Sequence, residues 1–137
     1  MLFRSREPLV FVLHLGYAFV PAGFGTVAVS ILLPELVPAH DALHAWTVGA
    51  VGVMTLAVMT RASLGHTGRE LVATGTTRLI YVAIVSAALF RLAAPLSTGA
   101  IATLLSLAGL SWIAGFGTFV VAYAQMLVRQ RQASSGS

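Results

Sequence analysis

Between Glu7 and Glu35 the chain carries no aspartate, glutamate, lysine or arginine, and this unbroken apolar run leaves few ways to fold. The run exceeds the roughly 20 residues that a helix needs to cross a bilayer's hydrocarbon core. It is one of several. Hydrophobic residues make up 58% of the 137, charged residues only 9%, and the mean hydropathy is +0.91. Twelve charged side chains, eight basic and four acidic, cannot cover the surface of a water-soluble domain of this size. Inside a bilayer no water receives backbone N–H and C=O groups, so only helices or a closed barrel can cross it. The apolar runs are continuous, without the strict alternation of barrel strands, and this excludes the barrel.

Four spans are expected, at 9–33, 42–64, 76–93 and 99–127. Arg6, Glu7 and Pro8 open the first, where proline suits the first helical turn because its missing N–H has no partner to lose. Pro34 and Pro38 close it. Asp41 is the expected N-cap of the second, which ends before a Gly65-His66-Thr67-Gly68 turn. Pro95, Ser97 and Gly99 separate the third from the fourth. The expected fold class is thus all-α, a polytopic transmembrane helical bundle forming one domain over 1–137, with a flexible cytoplasmic tail over 129–137. A cleaved signal peptide is disfavoured at the N-terminus, since the first apolar stretch is too long for a signal's core and lacks a small-x-small cleavage site.

Arg4, Arg6, Arg61, Arg69, Arg78, Arg129 and Arg131 all fall on one side of this four-span topology, leaving Arg91 alone on the other. The positive-inside rule then places both termini and the central loop in the cytoplasm. The basic pI of about 10.8 requires no nucleic acid, because these arginines are spread over three membrane-edge segments and build no continuous patch. No repeat of 20 to 50 residues is present.

Cysteine is absent, which closes off disulfides, thiolate nucleophiles, Cys-ligated iron–sulfur clusters and Cys-rich zinc sites within this chain. No Ser-His-Asp set, phosphate loop or HExxH motif is present. Chemistry therefore falls to four histidines. His14 lies about 9 Å into the first span, where an ionisable group is costly unless paired or liganded. His44 and His66 end the apolar stretch of the second span, about 33 Å apart on a uniform α-helix, which places them at opposite faces of the membrane. His40 precedes His44 by four residues, but with Asp41 as cap it falls outside the helix and reads as a solvated loop residue. His66 sits among Arg61 and Arg69. Imidazole can ligate haem iron or copper and guanidinium can clamp a propionate, so the group suits a haem edge; on spacing alone, arginines anchoring a loop to lipid headgroups is the stronger reading. Met54 and Met59, five residues apart, share no helix face. Trp46 reads as an interfacial anchor and Trp112 as a packing residue. Ala45 with Gly49, and Ser111 with Gly115, have the small-xxx-small spacing of close helix contacts.

The segment HAWTVGAVGVMTLAVMTRASLGHTGREL resembles the signature of the NnrS family of bacterial membrane proteins. The matching features are His44-Ala45, Thr47-Val48-Gly49, Met54-Thr55-Leu56, Arg61 and the turn from Ser63 to Arg69. Leu13-His14-Leu15-Gly16-Tyr17 resembles the family's upstream span. Family members have more spans than four, and the likeness is to their C-terminal portion. The resemblance implies an inner-membrane protein that contains haem and copper and is connected with denitrification and protection against nitric oxide. It carries the family's histidines onto His14, His44 and His66 without dividing them between the metals. Arg61 and Arg69 carry over as motif residues and candidate cofactor-binding groups. The partners expected are the lipid bilayer, nitric oxide as a ligand, and further helices or a second copy of the chain. Capture of the gas and electron transfer for its turnover both remain open, although the spans hold no relay of acids to deliver the protons that reduction consumes. Two other readings are a small transport module, in which Pro21 kinks the first span, and a structural subunit without a metal.

Overall fold

The computed structural model describes residues 7–134 and contains helices with no strands among them. Helix α1 spans Glu7–Leu32, continuous through Pro21. The second span runs from Ala39 to His66 in three parts, a short α2 (Ala39–Ala42), a π-helical segment (Ala45–Gly52) and α3 (Val53–His66). Helix α4 covers Gly75–Ala93 and passes through a 3₁₀ turn (Ala94–Leu96), and α5 covers Ile101–Ser134. All four rods are long and apolar enough to cross a membrane. The chain is therefore a multi-pass helical protein, as expected. Two boundaries differ. Helix α5 runs on past Leu127, so 129–134 are helical where a polar tail was expected, and 135–137 lie outside the described residues. Asp41 is not the N-cap, because Pro38 holds that position in extended conformation and both His40 and Asp41 lie inside α2.

Turn chemistry ends the second span within two residues of the expected Leu64, with Gly65 and His66 still helical. Gly68 has φ +64°, a left-handed conformation open to glycine at little cost, and the Thr67 hydroxyl donates to the Ser63 carbonyl at 2.8 Å. Thr74 then caps α4, its hydroxyl accepting from the Thr77 N–H at 3.3 Å.

Helix α1 lies antiparallel along the second span, held by glycines that admit large partners. Gly16 faces Met54, Gly49 faces Phe19, and Gly23 faces the Trp46 indole. Trp46 donates from Nε1 to the Val20 carbonyl at 2.9 Å and meets Phe24 edge-on, with centroids 5.0 Å apart. It thus seats α1 on the second span, correcting its reading as an interfacial anchor. Trp112 does pack as expected: a Cβ on Gly52 would lie 2.7 Å from its ring, and the Phe116 ring lies tilted beside it with centroids 4.6 Å apart. Gly115 brings α5 onto the α4 backbone, where an added Cβ would lie 3.5 Å from the Ile84 nitrogen.

The core centres on Val53, Leu56, Ile80 and Ile84, none of them exposed. Two buried hydroxyl pairs cross it one turn apart on α4. Thr60 meets Tyr81 at 2.5 Å, and Thr77 meets Tyr123 at 2.9 Å. Among the described residues, every buried side-chain nitrogen and oxygen has a partner. Interhelical hydrogen bonds of this kind are worth about 1 kcal/mol in a membrane protein. Thr77→Val and Tyr123→Phe are each expected to lower unfolding free energy by about that amount, and the double variant by clearly less than their sum, because Thr77→Val alone orphans the Tyr123 hydroxyl whereas the Thr77 hydroxyl keeps Thr74 as a partner at 3.1 Å. Thermal melts of the four proteins in detergent measure the coupling.

Candidate functional site

The histidines singled out in the sequence occupy three separate places. His14 is exposed on α1, and its Nδ1 lies 2.9 Å from the Val10 carbonyl. His44 is half-buried where α2 passes into the π-helical segment, with Nδ1 3.3 Å from the Asp41 carbonyl. A ring nitrogen facing a carbonyl serves as a donor, so in the neutral ring the lone pair falls on Nε2 in both residues. This is the arrangement that orients metal-ligating imidazoles. His66 is exposed as the last residue of α3. Among the described residues no three histidine, aspartate or glutamate side chains come together as a metal set.

His44 is the one with a built surrounding. It lines a cleft of about 290 Å³ between the second span, α4 and α5, together with Arg91 and Trp112. Ala87, Ala108 and Gly109 keep the walls low. The Arg91 guanidinium is held by Asp41, Nη2 to Oδ1 at 2.8 Å, with side-chain exposures of 20% and 10%. So little solvent makes this a charge-assisted contact well above the worth of a surface pair. His40 lies on the outer side of Asp41 at 3.4 Å, 76% exposed, and so belongs to the carboxylate's surroundings instead of a free loop. The π-helical segment begins directly after His44. Its wider turns give less rise per residue, so the axial separation of His44 and His66 falls short of the uniform-helix value.

Arg61 is exposed on α3. Arg69 lies beyond the αL turn at the rim of a second cleft of about 360 Å³, with Glu70, Thr74, Thr77 and Tyr123. Arg4 and Arg6 lie outside the described residues. Met54 packs on Gly16 and Met59 faces outward at 41% exposure, in keeping with their separate faces. The sequence reasoning missed Asp41 and Arg91 as site residues, though a signal was present. They are the only aspartate and the only arginine assigned to that end of the bundle, and opposite charges confined to one apolar end tend to meet.

The arrangement offers one oriented imidazole and one positioned guanidinium against an aromatic wall, at the end opposite the arginine-rich loop. One imidazole suffices as the axial ligand of a haem, and a guanidinium suits a propionate. The same residues do not fit a copper centre of three protein ligands.

The family described as NnrS protein matches residues 3–131 of the chain. Neither a curated protein sequence nor a solved structure is similar to it at a significant level.

Proposed function

The chain belongs to the NnrS family, and from that premise we propose that it is a bacterial inner-membrane protein that binds haem and meets nitric oxide in a response linked to denitrification. The observation that carries this reading is the family match, which spans His14, His44 and His66 together. His44 is the proposed haem-binding residue, supported by its Nδ1 tether and its cleft. A haem bound there would supply an iron able to take up a diatomic gas. The protein's part is to hold the imidazole in one tautomer, to place Arg91 where Asp41 fixes it, and to exclude water with Trp112. Nitric oxide is small and apolar enough to arrive through lipid, so the lateral cleft needs no aqueous path. His14 and His66 are proposed as ligands completed by groups outside this chain, and copper, which the family implies, is proposed to bind only with such help. Arg61 and Arg69 are proposed to face the cytoplasm with both termini, on the positive-inside argument.

The test is a visible spectrum of the purified chain after haem addition, recorded oxidised, reduced with dithionite, and under nitric oxide. A Soret band that moves with the gas is expected. His44→Ala is expected to lower haem affinity at least about tenfold, the smallest penalty typical of disturbing a metal site. A folded, colourless protein that takes up no haem, or a His44→Ala variant with an unchanged spectrum, would remove this reading.

A further inference from the structure

Helices α1 and α4 both pack on the second span but barely touch one another, and between them lies a groove of about 420 Å³. Its walls are hydrocarbon, with Phe11 and Leu15 on one side and Val82 on the other. Val12 and Tyr81, both buried, also line it and close the floor. Arg78 is exposed at one end, and none of the lining residues is acidic.

We propose that this groove is a binding site for an anionic glycerophospholipid, with one acyl chain between α1 and α4 and the headgroup phosphate on Arg78. The dimensions support a lipid in one leaflet. From Arg78 to Ser86 the lining of α4 extends about 12 Å along the helix, close to half of a hydrocarbon core about 30 Å thick. A partner helix would need contact along the whole bilayer and a channel about 10 Å wide, whereas this groove ends near midplane. The charge is at the correct depth, because Arg78 lies in the first turn of α4, at the arginine-rich end. Guanidinium pairs with phosphate through two parallel hydrogen bonds, and basic pockets between membrane helices select anionic headgroups. This site is independent of His44 and of any haem, since it shares no lining residue with that cleft.

The experiment uses the full purified chain in detergent. Retained lipid is read by native mass spectrometry and thermal stability by melting, with phosphatidylglycerol or phosphatidylcholine of identical chains added. Both headgroups offer a phosphate, but choline brings a second cation against the guanidinium, so the wild type is expected to prefer phosphatidylglycerol by roughly tenfold. Arg78→Gln, an exposed change, is expected to abolish that preference while leaving retention at the phosphatidylcholine level. Val82→Trp fills the groove and is expected to reduce retention of both lipids. Should that variant fail to fold, a phosphatidylglycerol bearing a diazirine in its acyl chain serves on the wild type, and labelling of Phe11, Leu15 or Val82 is expected. The proposal is overturned by equal retention of the two lipids, by a preference that survives Arg78→Gln, by labelling confined to other faces, by an equal stabilisation from glycerol phosphate alone, or by a second chain in place of lipid.

Discussion

Replacing Gly23 by alanine is expected to release α1 from the second span. A Cβ at this position would fall within the Trp46 indole, so the ring must leave its seat for any side chain larger than hydrogen. Its departure breaks the bond from Nε1 to the Val20 carbonyl and the edge contact with Phe24. Overpacking of this kind costs about 1–3 kcal/mol, and the lost polar contact adds about 1 kcal/mol. The measurement is thermal unfolding in detergent, followed by the environment of Trp46 in tryptophan fluorescence. Trp46→Ala in the same chain makes room for the new methyl, so the double variant is expected to be more stable than the sum of the two changes predicts. Strict additivity would show that the two residues do not meet.

Breaking the Asp41–Arg91 pair is expected to have the second large effect. Asp41→Asn retains the size of the side chain and removes its charge, leaving the 20%-exposed guanidinium without its counter-ion in an apolar cleft. Removing one member of a fully buried pair costs about 3–5 kcal/mol, and the residual exposure here brings the expectation to about 2 kcal/mol. Arg91→Gln alone is expected to cost a similar amount, and the two together less than their sum. If the cleft binds haem through His44, both single changes also shift the Soret band, because Arg91→Gln removes the guanidinium beside the cleft and Asp41→Asn releases it from its position. An Asp41→Asn protein with wild-type stability and spectrum would show that the pair neither fastens α2 to α4 nor shapes the site.

The candidate site was legible as residue types and illegible as a place. His44 carried the signal of a histidine at the end of a span, and the structure gives it a tether and a cleft. His66 carried the same signal and His14 that of an ionisable group inside a span, but both face outward in this chain, and spacing along one helix says nothing about which neighbour an imidazole meets. Arg91 was visible as an isolated charge, yet its partner on α2 is some fifty positions away in sequence. Trp46 was read from its depth, which suits an anchor, when its rotation about the helix turns it inward to Gly23.

The sequence by itself determined four helices long and apolar enough to cross a membrane, arginines gathered toward one end of them, and a glycine that turns the chain at position 68. Span length, charge distribution and turn chemistry are local quantities that no tertiary partner has to supply. The tertiary structure alone decided which faces meet, where the second span widens into a π-helix, and that the hydroxyls of Thr60, Tyr81, Thr77 and Tyr123 pair across the core. A helix that is apolar all round carries no amphipathic stripe to mark its inner face, so its rotational phase cannot be read from periodicity. Only packing, through glycines that admit Trp46, Phe19 and Trp112, settles that phase, and with it the surroundings of every histidine.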